Sequence, residues 1–248
     1  MRPLLAALLA TAAFVATPAL SEGLEAMTEA ERAAFRAEVK AYLLENPEVI
    51  VEAMNVLQSR EDDATAMLDK QLLADNKDFI FNDGNSWVGG NPDGDVTVVE
   101  FMDYRCGYCR KAYTEVEELV KSDGNIRFVL KEFPILGEES MAASRFAIAV
   151  QQLHGPDAYK EAHDALINLR GAPDDQTLGR LAADMGLDGD AILIRMASDE
   201  VTKVIAANHA LADVLKISGT PTFVIDDTLL RGYVPLEGMQ QIVAAERG

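Results

Sequence analysis

Two cysteines, Cys106 and Cys109, constrain this chain more than any other feature, because they are its only cysteines and lie three positions apart. A disulfide between them closes a ring too small to restrict the unfolded chain much, so it adds little stability. The β-branched run 96–101 before them predicts a buried strand, and the apolar spacing after them predicts a helix. At the start of a helix, unpaired backbone N–H groups and the helix dipole lower the pKa of a thiol. The pair is therefore expected at a strand-to-helix turn, in a position suited to redox chemistry.

This arrangement indicates thiol–disulfide exchange, with Cys106 as the attacking thiol and Cys109 as the resolving thiol. The rival interpretation of a Cys-x-x-Cys pair is a metal site. A structural zinc needs four ligands, and the remaining candidates are carboxylates and three histidines without paired spacing, His154, His163 and His209. We therefore expect no bound zinc and no cofactor. Cu(I) held by both thiolates of a reduced pair stays open, because soft sulfur suits that ion.

The first residues predict export. Arg2 provides a positive start, residues 4–15 form an apolar run, and residues 17–21 supply small residues for cleavage, which is typical of a secretory signal peptide spanning 1–21. A membrane anchor is the alternative, but the run is shorter than the roughly 20 apolar residues that cross a bilayer. The mature product is expected to be soluble. The net charge of −19 argues against nucleic acid as a partner, because phosphate binding depends on Lys and Arg.

Residues 22–78 are predicted to form an N-terminal helical segment. Thr28 and Glu31 have the spacing of a capping box, and a second helix is predicted from Pro47 to the mid-70s. Apolar positions in that helix follow a heptad-like pattern, which indicates a packing seam. Two interpretations stay open, since the helices either pack on their own chain or associate with other copies of it.

Residues 79–248 alternate between strand and helix patterns. The predicted strands are 79–81, 96–101, 126–133, 222–225 and 228–231, with a loop at 89–94. Helices are expected after the cysteine pair, through an insertion at about 137–215, and from about Pro235 onward. Because a strand, a helix and a second strand surround the cysteines, the pattern predicts a βαβ unit and an α/β fold.

Glu100, Lys131 and Pro221 are further candidate site residues. Glu100 lies near the end of the strand before the cysteines, where it could accept a proton during exchange, and Lys131 on the next strand could pair with it. The alternative for this pair is an ordinary surface ion pair. Pro221 stands at a strand entrance, which is a common place for a cis peptide bond.

Two segments carry a resemblance to a known family. The segment 100–109 (Glu-Phe-Met-Asp-Tyr-Arg-Cys-Gly-Tyr-Cys), the helical insertion and the segment 219–223 (Gly-Thr-Pro-Thr-Phe) resemble the DsbA-like branch of the thioredoxin-fold thiol–disulfide oxidoreductases. The likeness covers roughly residues 79 to 245. It implies a thioredoxin fold over residues 79–248 with an inserted helical domain, preceded by an N-terminal helical extension.

The same resemblance implies roles for individual residues. Pro221 is expected to be cis and, with Thr220, to face Cys106 and pair with the substrate backbone. Glu100 corresponds to the buried acid of the family. Gly107 and Tyr108, between the cysteines, are expected to belong to the substrate-binding surface.

The N-terminal 50 residues are similar to the extension of the ScsC group, bacterial suppressors of copper sensitivity, some of which are trimeric disulfide isomerases. This likeness implies a periplasmic protein and favours a homotrimer formed through the N-terminal helices. The implied partners are exported proteins that contain cysteines and a membrane or periplasmic redox partner.

One departure from the family concerns the direction of the reaction. A strongly oxidising DsbA-like enzyme has Pro-His between its cysteines, whereas this chain has Gly-Tyr and so lacks a histidine that stabilises the Cys106 thiolate. Since the reduction potential follows the stability of that thiolate, a milder oxidant is expected. We therefore predict a disulfide isomerase or reductase. A monomeric dithiol oxidase is the first alternative, and a Cu(I)-binding copper-tolerance protein is the second.

Overall fold

A computed structural model describes residues 27–248 of the chain. The predicted signal peptide, residues 1–21, lies outside the described residues. Within the described part, no helix combines the length and the apolar content that crossing a bilayer requires.

The described chain consists of helices and short strands connected by turns. In chain order the helices are α1 (Glu29–Glu45), α2 (Glu48–Asp75), α3 (Lys77–Phe81), α4 (Gly107–Asp123), α5 (Glu138–His154), α6 (Pro156–Ile167), α7 (Asp175–Asp184), α8 (Gly189–Met196), α9 (Asp199–Val214) and α10 (Leu236–Arg247). The strands are β1 (Trp87–Gly90), β2 (Val96–Met102), β3 (Ile126–Glu132), β4 (Thr222–Ile225) and β5 (Thr228–Arg231).

The described chain forms two compact units, one that ends at Glu61 and one that runs Asp62–Gly248. In the first unit, α1 begins with the predicted capping box, in which the Thr28 hydroxyl accepts from the Glu31 backbone N–H and the Glu31 carboxylate accepts from the Thr28 N–H at 2.8 Å. No residue of α1 is buried. Its apolar side chains therefore face solvent in the single chain.

The second unit is built on a sheet. In the described residues this sheet has five strands in the order β1-β3-β2-β4-β5. The two central strands, β2 and β3, are parallel, and the other pairings are antiparallel. The predicted βαβ unit is thus present as β2-α4-β3. Helices α5 to α9 lie between β3 and β4, which matches the predicted helical insertion.

Alternate residues of the central strands enter two separate apolar clusters, as the pleat requires. Val98 and Met102 of β2 pack in one cluster with the cysteines and with residues of α4, α5 and α10. Val99 and Phe101 pack in the other, with the ends of α2 and α9 and with Ile80. Residues at even positions of β2 therefore point toward the helix that carries the cysteine pair.

Two predicted elements were wrong. The segment Phe79-Ile80-Phe81 was expected to be a strand, but it belongs to the short helix α3, in which Ile80 is buried and Phe79 is exposed. The expected loop at 89–94 begins inside strand β1, whose residue Gly89 pairs with Phe128 of β3. Gly89 is needed there because an added Cβ would lie 2.0 Å from the Trp87 ring.

Candidate active site

Cys106 occupies the N-cap of α4, directly after the turn that follows β2. Its backbone is extended, with φ −74° and ψ 119°, and its N–H bonds to the Asp103 carbonyl at 3.1 Å. The Asp103 side chain fixes this turn, since it accepts from the N–H groups of Arg105, Ile135 and Leu136. The predicted strand-to-helix placement of the cysteine pair is confirmed.

The environment of Cys106 favours its thiolate. The hydrogen bond from the Cys109 thiol is the main cause that lowers the pKa of Cys106 from 9.0 to about 5. The Thr220 side chain and the backbone N–H groups of Cys109 and Tyr108 lower it further, while burial opposes the change. Both N–H groups belong to the first turn of α4, where no helix carbonyl is available to them. At neutral pH Cys106 is therefore a thiolate, which is the nucleophilic form.

Cys109 lies in the opposite situation, one turn into the helix and buried at 1% exposure. Burial, the hydrogen bond to Cys106 and the charge of Glu100 raise its pKa above the ordinary range of a thiol. Both cysteines are free thiols in this structure. The pair thus joins one thiolate of low pKa to one strongly protonated neighbour.

Glu100 lies beneath this pair on β2. It is 5% exposed, and burial, together with the negative charge of Cys106, raises its pKa to about 8. Glu100 and Cys109 line a common, narrow cavity. A carboxyl with this pKa can exchange a proton near neutral pH, which suits a group that takes and returns the proton of a buried thiol.

The predicted pairing of Lys131 with Glu100 is wrong. In the sheet register Glu100 stands opposite Leu130, and Lys131 stands opposite Phe101, so the two side chains project from opposite faces. Lys131, with no exposed area, donates instead to Asp83 at 2.6 Å and to Ser86 at 3.2 Å. This geometry therefore does not support a catalytic role for Lys131.

The loop before β4 completes the site. The Thr220–Pro221 peptide bond is cis, as the resemblance implies, and the Thr220 carbonyl oxygen lies 3.2 Å from the Cys106 Sγ, where it accepts a hydrogen bond from the protonated thiol. Gly107 and Tyr108 begin α4 beside it, and Tyr108 is 63% exposed. The Tyr108 ring lies 6.1 Å from the ring of Tyr233. Every residue expected at the site except Lys131 thus lies around Cys106 or directly beneath it.

A buried polar cluster behind the cysteines was not predicted from the sequence. Tyr104 and Tyr159 both donate to Glu132 Oε1, at 2.8 and 2.6 Å, and the Tyr104 hydroxyl also lies 3.1 Å from His163 Nδ1. Burial raises the pKa of Glu132 to about 7 and lowers the pKa of His163 to about 4. The one available signal was Glu132 itself, a charged residue that follows an apolar strand. No residue spacing indicated that it would meet His163.

Known families match the two parts of the chain. Residues 97–244 match the model of the DSBA-like thioredoxin domain, and residues 31–64 match that of the copper resistance protein ScsC N-terminal domain. The fold and the paired cysteines define a thiol–disulfide oxidoreductase. The chain belongs to the DSBA-like thioredoxin family and carries an ScsC-type N-terminal domain.

Solved structures agree with this assignment. A thioredoxin-like oxidoreductase from Silicibacter pomeroyi DSS-3 is 45% identical with a TM-score of 0.65, over 69% of this chain and 98% of that one. Proteus mirabilis ScsC in a transitional conformation is 28% identical with a TM-score of 0.64, over 90% of this chain and 97% of that one.

Among curated proteins, the Na(+)/H(+) antiporter NhaA 1 of Salinispora arenicola is 30% identical over 158 residues. The match covers 64% of this chain and 24% of the antiporter, so the chain spans about a quarter of that relative's length.

Proposed function

We propose that this chain is an exported bacterial enzyme that isomerises or reduces disulfides of client proteins through Cys106 and Cys109. The observation that carries the proposal is the position of the Cys106 sulfur. It sits at the start of α4 with its pKa lowered to about 5, and lies 3.2 Å from the carbonyl of Thr220. A client backbone that pairs with Thr220 would present its disulfide to this thiolate.

The reaction begins when the Cys106 thiolate attacks a client disulfide. One sulfur of the client bonds to Cys106, and the other leaves as a thiolate. In isomerisation, a different client thiolate then attacks the client sulfur bonded to Cys106, so that a new client disulfide forms and Cys106 leaves as a thiolate. In reduction, Glu100 takes the proton of Cys109, and Cys109 attacks Cys106, which releases the client thiolate and leaves a Cys106–Cys109 disulfide.

The clients are proposed to be exported proteins that contain cysteines, and the place of action is the periplasm. A membrane or periplasmic redox partner must reduce the Cys106–Cys109 disulfide again, because isomerisation requires the free thiolate. Thr220, Pro221, Gly107 and Tyr108 are proposed to contact the client. Tyr108 supports this assignment because its side chain is exposed and its backbone N–H bonds to the attacking sulfur.

The N-terminal unit is proposed to form a homotrimer. Its match to the ScsC N-terminal domain and its exposed apolar side chains support this proposal. The larger of these side chains on α1 and the first half of α2 are Phe35, Val39, Tyr42, Leu44, Ile50, Val51, Met54, Val56 and Leu57. Self-association would remove this apolar area from water.

A monomeric dithiol oxidase is the second candidate, and the Cys106 pKa favours it in part. A pKa of about 5 lies between the values of about 7 for thioredoxin and about 3.5 for DsbA. A more stable thiolate makes the reduced pair more stable and the disulfide more oxidising. This pKa therefore fits an enzyme of intermediate potential, which works in either direction as its redox partner dictates.

Refolding of scrambled ribonuclease by the reduced protein tests the proposal. Ribonuclease activity is expected to return with the wild-type protein, and at a rate at least 100-fold lower with Cys106→Ala. Cys109→Ala is expected to keep part of the refolding rate, because it retains the attacking thiolate. Full activity in Cys106→Ala would exclude the proposal. If the oxidised protein instead rapidly forms disulfides in a reduced peptide while the reduced protein refolds nothing, the oxidase is the correct function.

A further inference from the structure

His163 is joined to a buried carboxyl by a chain of hydrogen bonds. Glu132 Oε1 accepts from the Tyr104 hydroxyl at 2.8 Å and from the Tyr159 hydroxyl at 2.6 Å. The Tyr104 oxygen lies 3.1 Å from His163 Nδ1. All four residues are at most 4% exposed, so water does not compete for these bonds.

The single hydrogen of the Tyr104 hydroxyl determines which ring nitrogen of His163 is protonated. A tyrosine hydroxyl carries one hydrogen, and that of Tyr104 is donated to Glu132. The Tyr104 oxygen can then only accept, so Nδ1 of His163 must carry a hydrogen. Because burial lowers the pKa of His163 to about 4, the ring is neutral at physiological pH. Nε2 of His163 is therefore a hydrogen-bond acceptor.

His163 also lines the cavity that contains Glu100 and Cys109. Its Nδ1 is engaged by Tyr104, which leaves Nε2 as the nitrogen available to the cavity. The cavity has room for about one water molecule, and its polar lining supplies the partners that a water needs. The ring of His163 is hydrogen-bonded to Tyr104 through Nδ1, so a link from Nε2 to Glu100 has to cross the cavity that both residues line.

The other charged and titratable groups near His163 come from three elements. Asp164 and Lys160 lie on its own helix α6, and Tyr113 and Glu117 line the same cavity from α4. Lys160 is bound to Asp164 at 2.6 Å and to Glu117 at 3.3 Å, so its charge is balanced within the group. Glu132 is the remaining carboxyl, and it reaches His163 only through Tyr104.

We propose that His163 is a positioning residue for the resolving step, whose Nε2 accepts a hydrogen bond from protonated Glu100 through one water molecule. The inference rests on the proposed exchange at Cys106. In that step the Cys109 proton moves to the Glu100 carboxylate, the Cys109 sulfur bonds to Cys106, and the bond from Cys106 to the client breaks. An acceptor beside Glu100 favours its protonated form, so His163 raises the pH at which Glu100 becomes able to take that proton.

Glutathione disulfide is a suitable probe of this step. The reduced protein attacks it through Cys106, and the second glutathione leaves only when Cys109 resolves the mixed disulfide. The rate of that second release is expected to rise with pH as Glu100 ionises. Stopped-flow measurement of the release between pH 5 and 10 gives the midpoint of the profile for each variant.

Two matched substitutions separate the two nitrogens of the ring. The amide of His163→Asn reaches the place of Nδ1 and keeps the bond to Tyr104, whereas the amide of His163→Gln reaches the place of Nε2. His163→Asn is expected to move the midpoint down by about 0.5 to 1 pH unit, the value of one hydrogen bond. His163→Gln is expected to stay close to the wild type.

Tyr104→Phe provides an independent variant in case either substitution impairs folding. It removes the acceptor that holds Nδ1–H, so the tautomer is no longer fixed, and a smaller shift in the same direction is expected. Coincident midpoints in the wild type, His163→Asn and Tyr104→Phe, with native far-UV circular dichroism, would overturn the inference. Failure of the wild type to release any glutathione would instead refute the proposed function itself.

Discussion

Cys106 and Glu100 have opposite effects on how stability depends on pH. The folded protein lowers the pKa of Cys106 to about 5 and raises that of Glu100 to about 8. Between these values the folded state lacks the proton that Cys106 keeps in the unfolded chain, so this group makes stability rise with pH. Glu100 keeps a proton that the unfolded chain has lost, so it makes stability fall with pH. In the wild type the two slopes largely cancel.

Replacing Glu100 is expected to expose the slope that Cys106 causes. In reduced Glu100→Gln, the free energy of unfolding should rise with pH relative to the wild type by up to about 1.4 kcal/mol per pH unit between pH 5 and 8. Urea denaturation at several pH values, under a reducing agent, measures this difference.

Cys106→Ala is the matched control, and its stability should fall with pH relative to the wild type over the same interval. Parallel curves for the three proteins would show that the pKa of Cys106 is not lowered and that of Glu100 is not raised by folding. Glu132 and His163 are present in all three proteins, so their own contributions to the slope are common to the three curves.

For single residues, the sequence predicted the reactive cysteines better than it predicted the side chains that contact them or lie near them. The spacing of Cys106 and Cys109 was sufficient to place both, because a helix start defines the environment of its first residues. Lys131 was predicted to pair with Glu100 because it lies on the next strand. In the sheet register Lys131 stands opposite Phe101, one position past Glu100, so the two side chains lie on opposite faces. His163 could not be found, since its contact with Tyr104 joins α6 to the turn after β2 through tertiary packing.

Glycines stand at both ends of α4, and their backbone conformations differ. Gly107, at the first position of the helix, has no atom within 4 Å of an added Cβ and an ordinary backbone conformation. Gly124, at the C-cap, has φ +73°, which is strained for any residue with a Cβ.

Substitution of these two glycines by alanine is therefore expected to have opposite effects. Gly107→Ala should raise the free energy of unfolding by about 0.5 kcal/mol, because it restricts the unfolded chain. Gly124→Ala should lower it by about 1 kcal/mol. Thermal denaturation of both variants checks the prediction, and a change of the same sign in both would contradict it.

Strand β3 carries a buried cation that depends on one carboxylate. Lys131 has no exposed area, and Asp83 binds its ammonium group at 2.6 Å. Burial lowers the pKa of Lys131, while the charge of Asp83 opposes that change. The pair connects the turn before β1 to the centre of the sheet.

Asp83→Asn is expected to lower the free energy of unfolding by about 3 kcal/mol, because it leaves a buried ammonium without its counter-charge. Asp93→Asn, at an exposed position in the next turn, is the control and should change stability by less than about 0.5 kcal/mol. Equal urea midpoints for the two variants would show that the Lys131–Asp83 pair contributes nothing.

Long patterned elements were predicted well, and short ones were not. The helix expected from Pro47 to the mid-70s is α2, and the β-branched run is β2. The segment 79–81 is too short for its period to separate strand from helix. Strand β1 was hidden by Gly89 and Gly90, which indicate a loop in sequence but in the folded chain allow the Trp87 ring and the Ile126 carbonyl to approach the backbone.

At the scale of the whole molecule, the N-terminal unit presents an apolar surface that self-association would cover. Met54 and Leu57 are 63% and 58% exposed on α2. Light scattering of the mature protein is expected to give three times the chain mass. The double substitution Met54→Glu and Leu57→Glu should reduce this to a single chain, because charges cannot enter an apolar seam without a large desolvation cost.

The control for this prediction is Asn55→Glu with Ser59→Glu, which adds the same charge at exposed polar positions of α2. This control protein should remain trimeric. A wild type that scatters as a monomer would contradict the proposed trimer and would favour the oxidase.

The central claim is that Cys106 attacks the client and Cys109 resolves the product. Its most direct test is mass spectrometry of the single-cysteine proteins after reaction with a peptide that contains one disulfide. Cys109→Ser is expected to hold the peptide on Cys106 as a stable mixed disulfide at pH 7. Cys106→Ser is expected to form at least 100-fold less adduct, because its remaining thiol is buried and protonated. Equal adduct in the two variants, or adduct on Cys109 alone, would contradict the account.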